Sequence, residues 1–289
     1  MKRADPKAIE LPPEVRPGQS VALLHELHIL TRDGKLNQDS RRKLKQVYHL
    51  VQFIEPLIRE IQQDHPDVSL VDHGAGKSYL GFILYDLFFK NLPGGSHIYG
   101  IETREELVAK SEELAKRLDF PGMSFLPLSV AESTTSSQLP DRIDIVTALH
   151  ACNTATDDAI DFALKKKAKF MVLVPCCQAE VATVLKKNKG KDLGRSALTE
   201  IWRHPLHTRE FGSQVTNVLR CLQLEAHGYQ VNVTELVGWE HSMKNELIIA
   251  SYKNLPRKRP SERLQEVLST LGLEEMGQRF YTEQLTTAQ

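Results

Sequence analysis

From residue 68 the chain stops reading as continuous helix and begins to alternate. Short apolar runs take turns with amphipathic stretches. VSLVDHG (68–74) leads into KSYLGFILYDLFFKN (77–91), and SHIYGIE (96–102) into TREELVAKSEELAKRL (103–118), where Thr103 and Glu106 read as a capping box. SFLPLSV (124–130) and RIDIVTAL (142–149) follow, then a helix near 156–168, KFMVLVP (169–175) and a helix over 178–187. Strands separated by helices of this length call for a parallel sheet with helices on both faces. After a helical segment around 214–224, the pattern changes. YQVNVTELV (229–237) and ELIIASYK (246–253) are joined only by GWEHSMKN (238–245), which is too short for a crossover and predicts antiparallel pairing. The expectation is an α/β sheet, mostly parallel, whose last strand is antiparallel.

The segment before this sheet is helical in pattern. Leu44, Val47, Val51, Ile54, Ile58 and Ile61 recur at steps of three or four and form one buried stripe. Pro56 lies within it and predicts a kink or a fresh helix start. An earlier helix is expected over 21–30, with Asp33-Gly34 as a turn between the two. The chain is therefore read in three parts: a helical N-terminal extension (1–64), the alternating domain (65–253), and a basic linker with a helical tail (254–289). Charge narrows the function. Lys plus Arg number 37 and Asp plus Glu 37, so bulk charge alone does not hold this chain to nucleic acid. Four Cys in 289 residues argue against a secreted disulfide scaffold. No signal-peptide core opens the chain, and its most apolar run (79–89) is too short for a bilayer and contains Asp86. A cytoplasmic protein without membrane attachment is expected.

The loop VDHGAGKSYLG (71–81) joins a strand to a helix through Gly74-Ala75-Gly76 at the carboxyl edge of the sheet, where open α/β folds bind ligands. A phosphate loop of the form GxxxxGK[ST] would need glycine where Val71 stands, and a GxGxxG dinucleotide loop would need it where Tyr79 stands. Asp72, two residues before Gly74, fits instead the D-x-G-x-G loop of S-adenosylmethionine sites; a tight turn with no ligand is the plain alternative. Glu102 ends the next strand, and a carboxylate there can accept hydrogen bonds from both hydroxyls of a ribose. Ser129 and Val130, at the third strand end, are expected beside the adenine.

The fourth and fifth strand ends carry ALHACNTATDDAI (148–160) and VPCCQ (174–178). His150, Cys152, Asn153, Cys176 and Cys177 would converge there. Zinc ligation, a nucleophilic cysteine and plain packing of small polarizable side chains all stay open. Trp239, His241 and Asn245 of the hairpin link would border the same edge. Four basic clusters (41–45, 165–169, 186–191 and 257–263) are either solvated faces or a track for phosphates.

Together D-H-G-A-G-K, L-H-A-C-N-T-A-T-D, P-C-C-Q and K-N-E-L-I-I-A resemble a branch of the class I S-adenosylmethionine-dependent methyltransferases that carries L-H-x-C-G-x-A-T-D and P-C-C at these strand ends. The eukaryotic enzymes that 2′-O-methylate the tRNA acceptor stem are similar in the last two motifs. The resemblance spans roughly residues 68–253. Asn153 stands where the family has glycine, and the zinc-finger cysteines of the tRNA enzymes have no counterpart. The resemblance implies a Rossmann-like class I methyltransferase sheet and S-adenosylmethionine as cofactor. It implies Asp72, Gly74 and Gly76 at the methionine end and Glu102 at the ribose. His150, Cys152, Asn153 and Cys177 become candidates for the substrate side, with no metal, and RNA, either tRNA or rRNA, becomes a candidate partner.

Overall fold

A computed structural model describes residues 11–149, 154–175, 179–188, 197–236 and 246–282. Its seven strands form one sheet in the order β3-β2-β1-β4-β5-β7-β6. They are β1 (Ser69–His73), β2 (His97–Ile101), β3 (Met123–Leu126), β4 (Ile145–Leu149), β5 (Phe170–Val174), β6 (Tyr229–Glu235) and β7 (Glu246–Tyr252). The pairs β2–β3, β1–β4 and β4–β5 are parallel, while β7 runs antiparallel to both β5 and β6. The mostly parallel α/β sheet with one antiparallel strand is therefore present as expected, as is the antiparallel β6–β7 pair. By its contacts the chain divides into two units. The first takes in the N-terminal helices to Ser69 and Ala75–Pro127; the second takes in Leu70–Gly74, Leu128–Glu235 and the chain from β7 onward.

In the first unit, α1 (Val21–Glu26) is capped by the Ser20 hydroxyl and α2 (Gln38–Asp64) by the Asn37 side chain. The helix α2 runs unbroken through Pro56, so the expected restart does not occur. Leu44, Leu50, Val51, Ile54, Ile58 and Ile61 are buried on both sides of the proline. At about 1.5–3 kcal/mol for each such side chain, their burial outweighs the roughly 3 kcal/mol that a proline costs inside a helix. The buried Asp86 of α3 (Tyr79–Leu87) accepts hydrogen bonds from the Ser20 amide at 2.8 Å and from Lys90 Nζ at 2.9 Å, tying the entry of α1 to α3. The helix α4 (Glu105–Arg117) follows β2.

In the second unit, Leu70–His73 and β4 to β7 are flanked by α5 (Val130–Thr135), α6 (Ala155–Lys165), α7 (Glu180–Lys187), α8 (Pro205–Ala226) and α9 (Lys258–Thr270). Val181, Leu185, Leu219, Leu264, Leu268 and Phe280 form one core that holds α7, α8, α9 and the chain after them together. Polar contacts reinforce it. The buried Asp157 in the first turn of α6 accepts from Arg220 Nε of α8 at 2.6 Å and from Arg279 Nη1 at 3.4 Å. Asn217 bridges Arg220 (3.0 Å) to Glu246 of β7 (2.7 Å). A buried ion pair contributes little net stability but demands that every partner be present. Among the described residues no helix is long and apolar enough to cross a membrane.

Candidate functional site

The turn after β1 is closed by backbone bonds in the first unit. The Ala75 amide donates to the Ile101 carbonyl at 3.0 Å, and the Ser78 amide to the Ala75 carbonyl at 2.7 Å. Gly76 has φ +58° and Gly74 φ +66°, a left-handed conformation that glycine adopts without the penalty of a Cβ. A Cβ built on Gly74 would meet nothing within 4 Å, so at that position open space lies beside the backbone. Ser78 also has positive φ (+49°); its hydroxyl is buried with no partner among the described residues.

Glu102 lies just beyond the end of β2, 7% exposed. Its Oε2 accepts from the Gly76 amide at 2.9 Å and from Arg104 Nη2 at 3.0 Å. Its Oε1 accepts from the Arg104 amide at 3.1 Å, from Arg104 Nε at 3.0 Å and from the Thr103 hydroxyl at 3.4 Å. The Arg104 side chain, against the opposing effect of partial burial, holds the carboxyl down at about 2, helped by the Arg104 and Gly76 amides. Glu102 is thus an ionised acceptor fixed to the glycine turn across 26 residues. Thr103 contributes to this group rather than capping α4: the N-cap is Arg104, without a side-chain cap bond. The expected Thr103–Glu106 capping box is absent because α4 begins at Glu105 with Arg104 as its N-cap, one residue later than the box requires.

In the second unit, Asp72 on β1 is 3% exposed and accepts from Thr147 Oγ1 of β4 at 2.6 Å. Burial pushes its carboxyl up to about 6, against the opposing effect of the Thr147 bond. The register sets Asp72 opposite Thr147 and His73 opposite Ala148. His73 is 1% exposed, packs edge-on against Phe162 at 4.5 Å, and has no hydrogen-bond partner among the described residues. Burial drives its imidazole down to about 3, so it stays neutral.

The third strand ends earlier than the expected 124–130. The strand stops at Leu126, because Pro127 has no amide for the ladder. Ser129 is the N-cap of α5, with a capping box: its hydroxyl accepts from the Glu132 amide at 3.2 Å and its own amide donates to Glu132 Oε2 at 2.7 Å. Val130 is the first residue of that helix. His150, Cys152, Asn153, Cys176 and Cys177, with Trp239, His241 and Asn245, lie outside the described residues. The remaining cysteine, Cys221, is partly buried in α8, and burial pushes its thiol up to about 12, so it offers no thiolate.

The sequence reading missed two partners. Thr147 is the only partner that Asp72's carboxylate shows among the described residues, and Arg104 takes two hydrogen-bond positions on Glu102. Arg104 had a signal, a cation two residues after the strand-end acid. Thr147 had none, since its place depends on strand register.

A sheet of this order with one antiparallel strand is the class I methyltransferase fold. Residues 42–184 match the family model described as "Methyltransferase domain", and that stretch is a methyltransferase domain. Among curated proteins the chain is similar to the glutathione S-transferase C-terminal domain-containing protein of Bos taurus, at 26% identity over 236 residues, 75% of this chain and 34% of that protein. The Homo sapiens protein of the same name is 25% identical, with the same coverage of 75% and 34%. The chain thus spans about a third of the length of these curated relatives, 34%. Among solved structures it is similar to magnesium protoporphyrin IX methyltransferase from Synechocystis PCC 6803 with bound SAH. There the TM-score is 0.42 and the identity 16%, covering 81% of this chain and 95% of that one.

Proposed function

We propose that the protein is an S-adenosylmethionine-dependent methyltransferase acting on an oxygen or nitrogen of RNA, in tRNA or rRNA. The observation that carries the cofactor reading is the Glu102 carboxylate bonded to the Gly76 amide at 2.9 Å. Held near 2, it is an acceptor at every physiological pH, which suits two ribose hydroxyls that can only bind it as donors. The open space at Gly74 lets a ligand approach the backbone. When bound, the cofactor supplies an electrophilic methyl on a sulfonium. The chain's residues do the rest: Glu102, held by the Gly76 amide, takes the ribose, Asp72, Gly74 and Gly76 serve the methionine end, and Ser129 and Val130 are proposed beside the adenine. His150, Cys152, Asn153 and Cys177 are proposed for the acceptor side, with His150 taking the proton where the acceptor is a hydroxyl. Most of the rate gain would come from alignment and exclusion of water.

RNA as acceptor is supported by the motif resemblance and the basic clusters. A protein or small-molecule acceptor, or a cofactor-binding protein without catalysis, is favoured instead by the ion pairing of those clusters, for example Lys165–Asp161 at 2.7 Å and Lys187–Glu275 at 3.3 Å. Calorimetry with S-adenosylmethionine tests the site. Glu102→Ala is expected to weaken binding by at least about tenfold, the loss of two hydrogen bonds to a charged acceptor. Unchanged affinity would remove Glu102 from the site. Tritiated-methyl labelling of cell extract, followed by nuclease or protease digestion, identifies the acceptor; label that survives nuclease and yields to protease overturns the RNA reading.

A further inference from the structure

Glu102 is already occupied. A carboxylate offers about four lone-pair positions, and here five donors surround it. Two of them are backbone amides, of Gly76 and Arg104, which stay wherever the side chains go. Two more are Nε and Nη2 of Arg104, each at 3.0 Å, one on each carboxylate oxygen. A guanidinium edge and a ribose diol present the same thing to a carboxylate: a pair of parallel donors. They cannot both be accommodated on these two oxygens.

We propose that Arg104 is a latch on the ribose-binding carboxylate: its guanidinium and a nucleoside diol compete for the same two oxygens of Glu102, so the diol binds only as the guanidinium is released. This rests on the cofactor reading above and adds a residue that sets ligand affinity through competition. The guanidinium is free to leave, because the Arg104 side chain is 62% exposed on a long flexible stem. It has a second acid to turn to: Glu106, in the first turn of α4, also strengthens Arg104's hold on its proton. The two backbone amides, one to each oxygen, keep the carboxylate aimed while the guanidinium moves. Removing Arg104 should therefore lift a competitor without losing the aim of Glu102. That decides the sign: the variant binds more tightly, not less. Because the guanidinium side of this pair faces solvent, the pair is screened by salt and the gain is modest.

Isothermal titration with S-adenosylhomocysteine, whose sulfur carries no charge, reads the latch. Arg104→Ala is expected to bind about two- to fivefold more tightly than wild type at low salt, the size of a solvent-screened pair. Raising salt should tighten wild-type binding towards the variant and leave the variant nearly unchanged. In a Glu102→Ala background the Arg104→Ala change should gain nothing. With Glu102→Ala weakened as expected, an Arg104→Ala affinity equal to or below wild type overturns the latch alone, and in the second case makes Arg104 a ligand contact. Wild type that fails to bind, or Glu102→Ala that binds as wild type, overturns the cofactor reading and the latch with it.

Discussion

Asp72 and Glu102 stand at the ends of consecutive strands, and their surroundings push their proton affinities in opposite directions. Glu102 is stabilised as an anion by donors. Asp72 is raised to about 6 by burial, with one hydroxyl donor to offset it. The sign for stability follows. In the unfolded chain Asp72 releases its proton near its ordinary value of 3.8, and in the folded chain only near 6. As pH rises through this window the unfolded state binds fewer protons, so stability falls, and above about 6 the whole cost is present. Asparagine keeps the shape and an oxygen for the Thr147 hydroxyl but carries no charge. Asp72→Asn is therefore expected to stabilise the protein near pH 7, by on the order of 1–3 kcal/mol, with the gain shrinking towards pH 4. Thermal unfolding at several pH values checks this; a gain that stays constant across the range contradicts it.

The contact of α7 with α8 shows how elements constrain one another. Gly212 of α8 lies against the α7 backbone: a Cβ there would sit 2.8 Å from the Ala182 amide nitrogen and 3.0 Å from its Cα. In an exposed helix, Gly→Ala gains up to about 1 kcal/mol. Here the added methyl meets backbone that cannot turn aside, and overpacking of this kind costs about 1–3 kcal/mol. Gly212→Ala is expected to be net destabilising, read as a lower midpoint in urea; a midpoint equal to or above wild type defeats the argument. The glycine's role was not visible in the sequence, where it lies just before the expected helical segment 214–224. Other elements were legible to different depths. The central strands β4 and β5 stood out because their runs are apolar almost throughout, as strands covered on both faces require, whereas β6 alternates apolar and polar residues and is largely exposed. The antiparallel pair followed from an eight-residue link (238–245). The helix α8 was read only over 214–224, its apolar heart, yet runs Pro205–Ala226. Its polar first turns carry no periodicity, and Pro205 at the first turn was the only start signal. The Asp72–Thr147 contact was illegible because it crosses two strands 75 residues apart in sequence, and no local pattern encodes their register.

Charge is a property of the molecule as a whole, and it bounds how RNA could be held. The 37 basic and 37 acidic side chains cancel. The clusters that suggested a phosphate track carry acidic partners: Arg41 pairs with Glu14 at 3.0 Å, Lys43 with Asp39 at 2.8 Å, and Lys258 with Glu262 at 3.8 Å. Each exposed pair is weak, so a phosphate can displace the acid, but at reduced gain. Few phosphates should then be neutralised, and affinity for tRNA should fall with salt on a shallow slope. With about three phosphate contacts at roughly −0.7 each, raising salt from about 50 to 200 mM weakens binding about twentyfold, far less than for a protein making six to ten contacts. A filter-binding titration of tRNA against salt reads the slope. A slope near −2 supports RNA as the acceptor, held through a small charged footprint. No binding at the lowest salt, or an affinity indifferent to salt, would move the acceptor to a protein or a small molecule while leaving the proposed nucleoside site at Glu102 untouched.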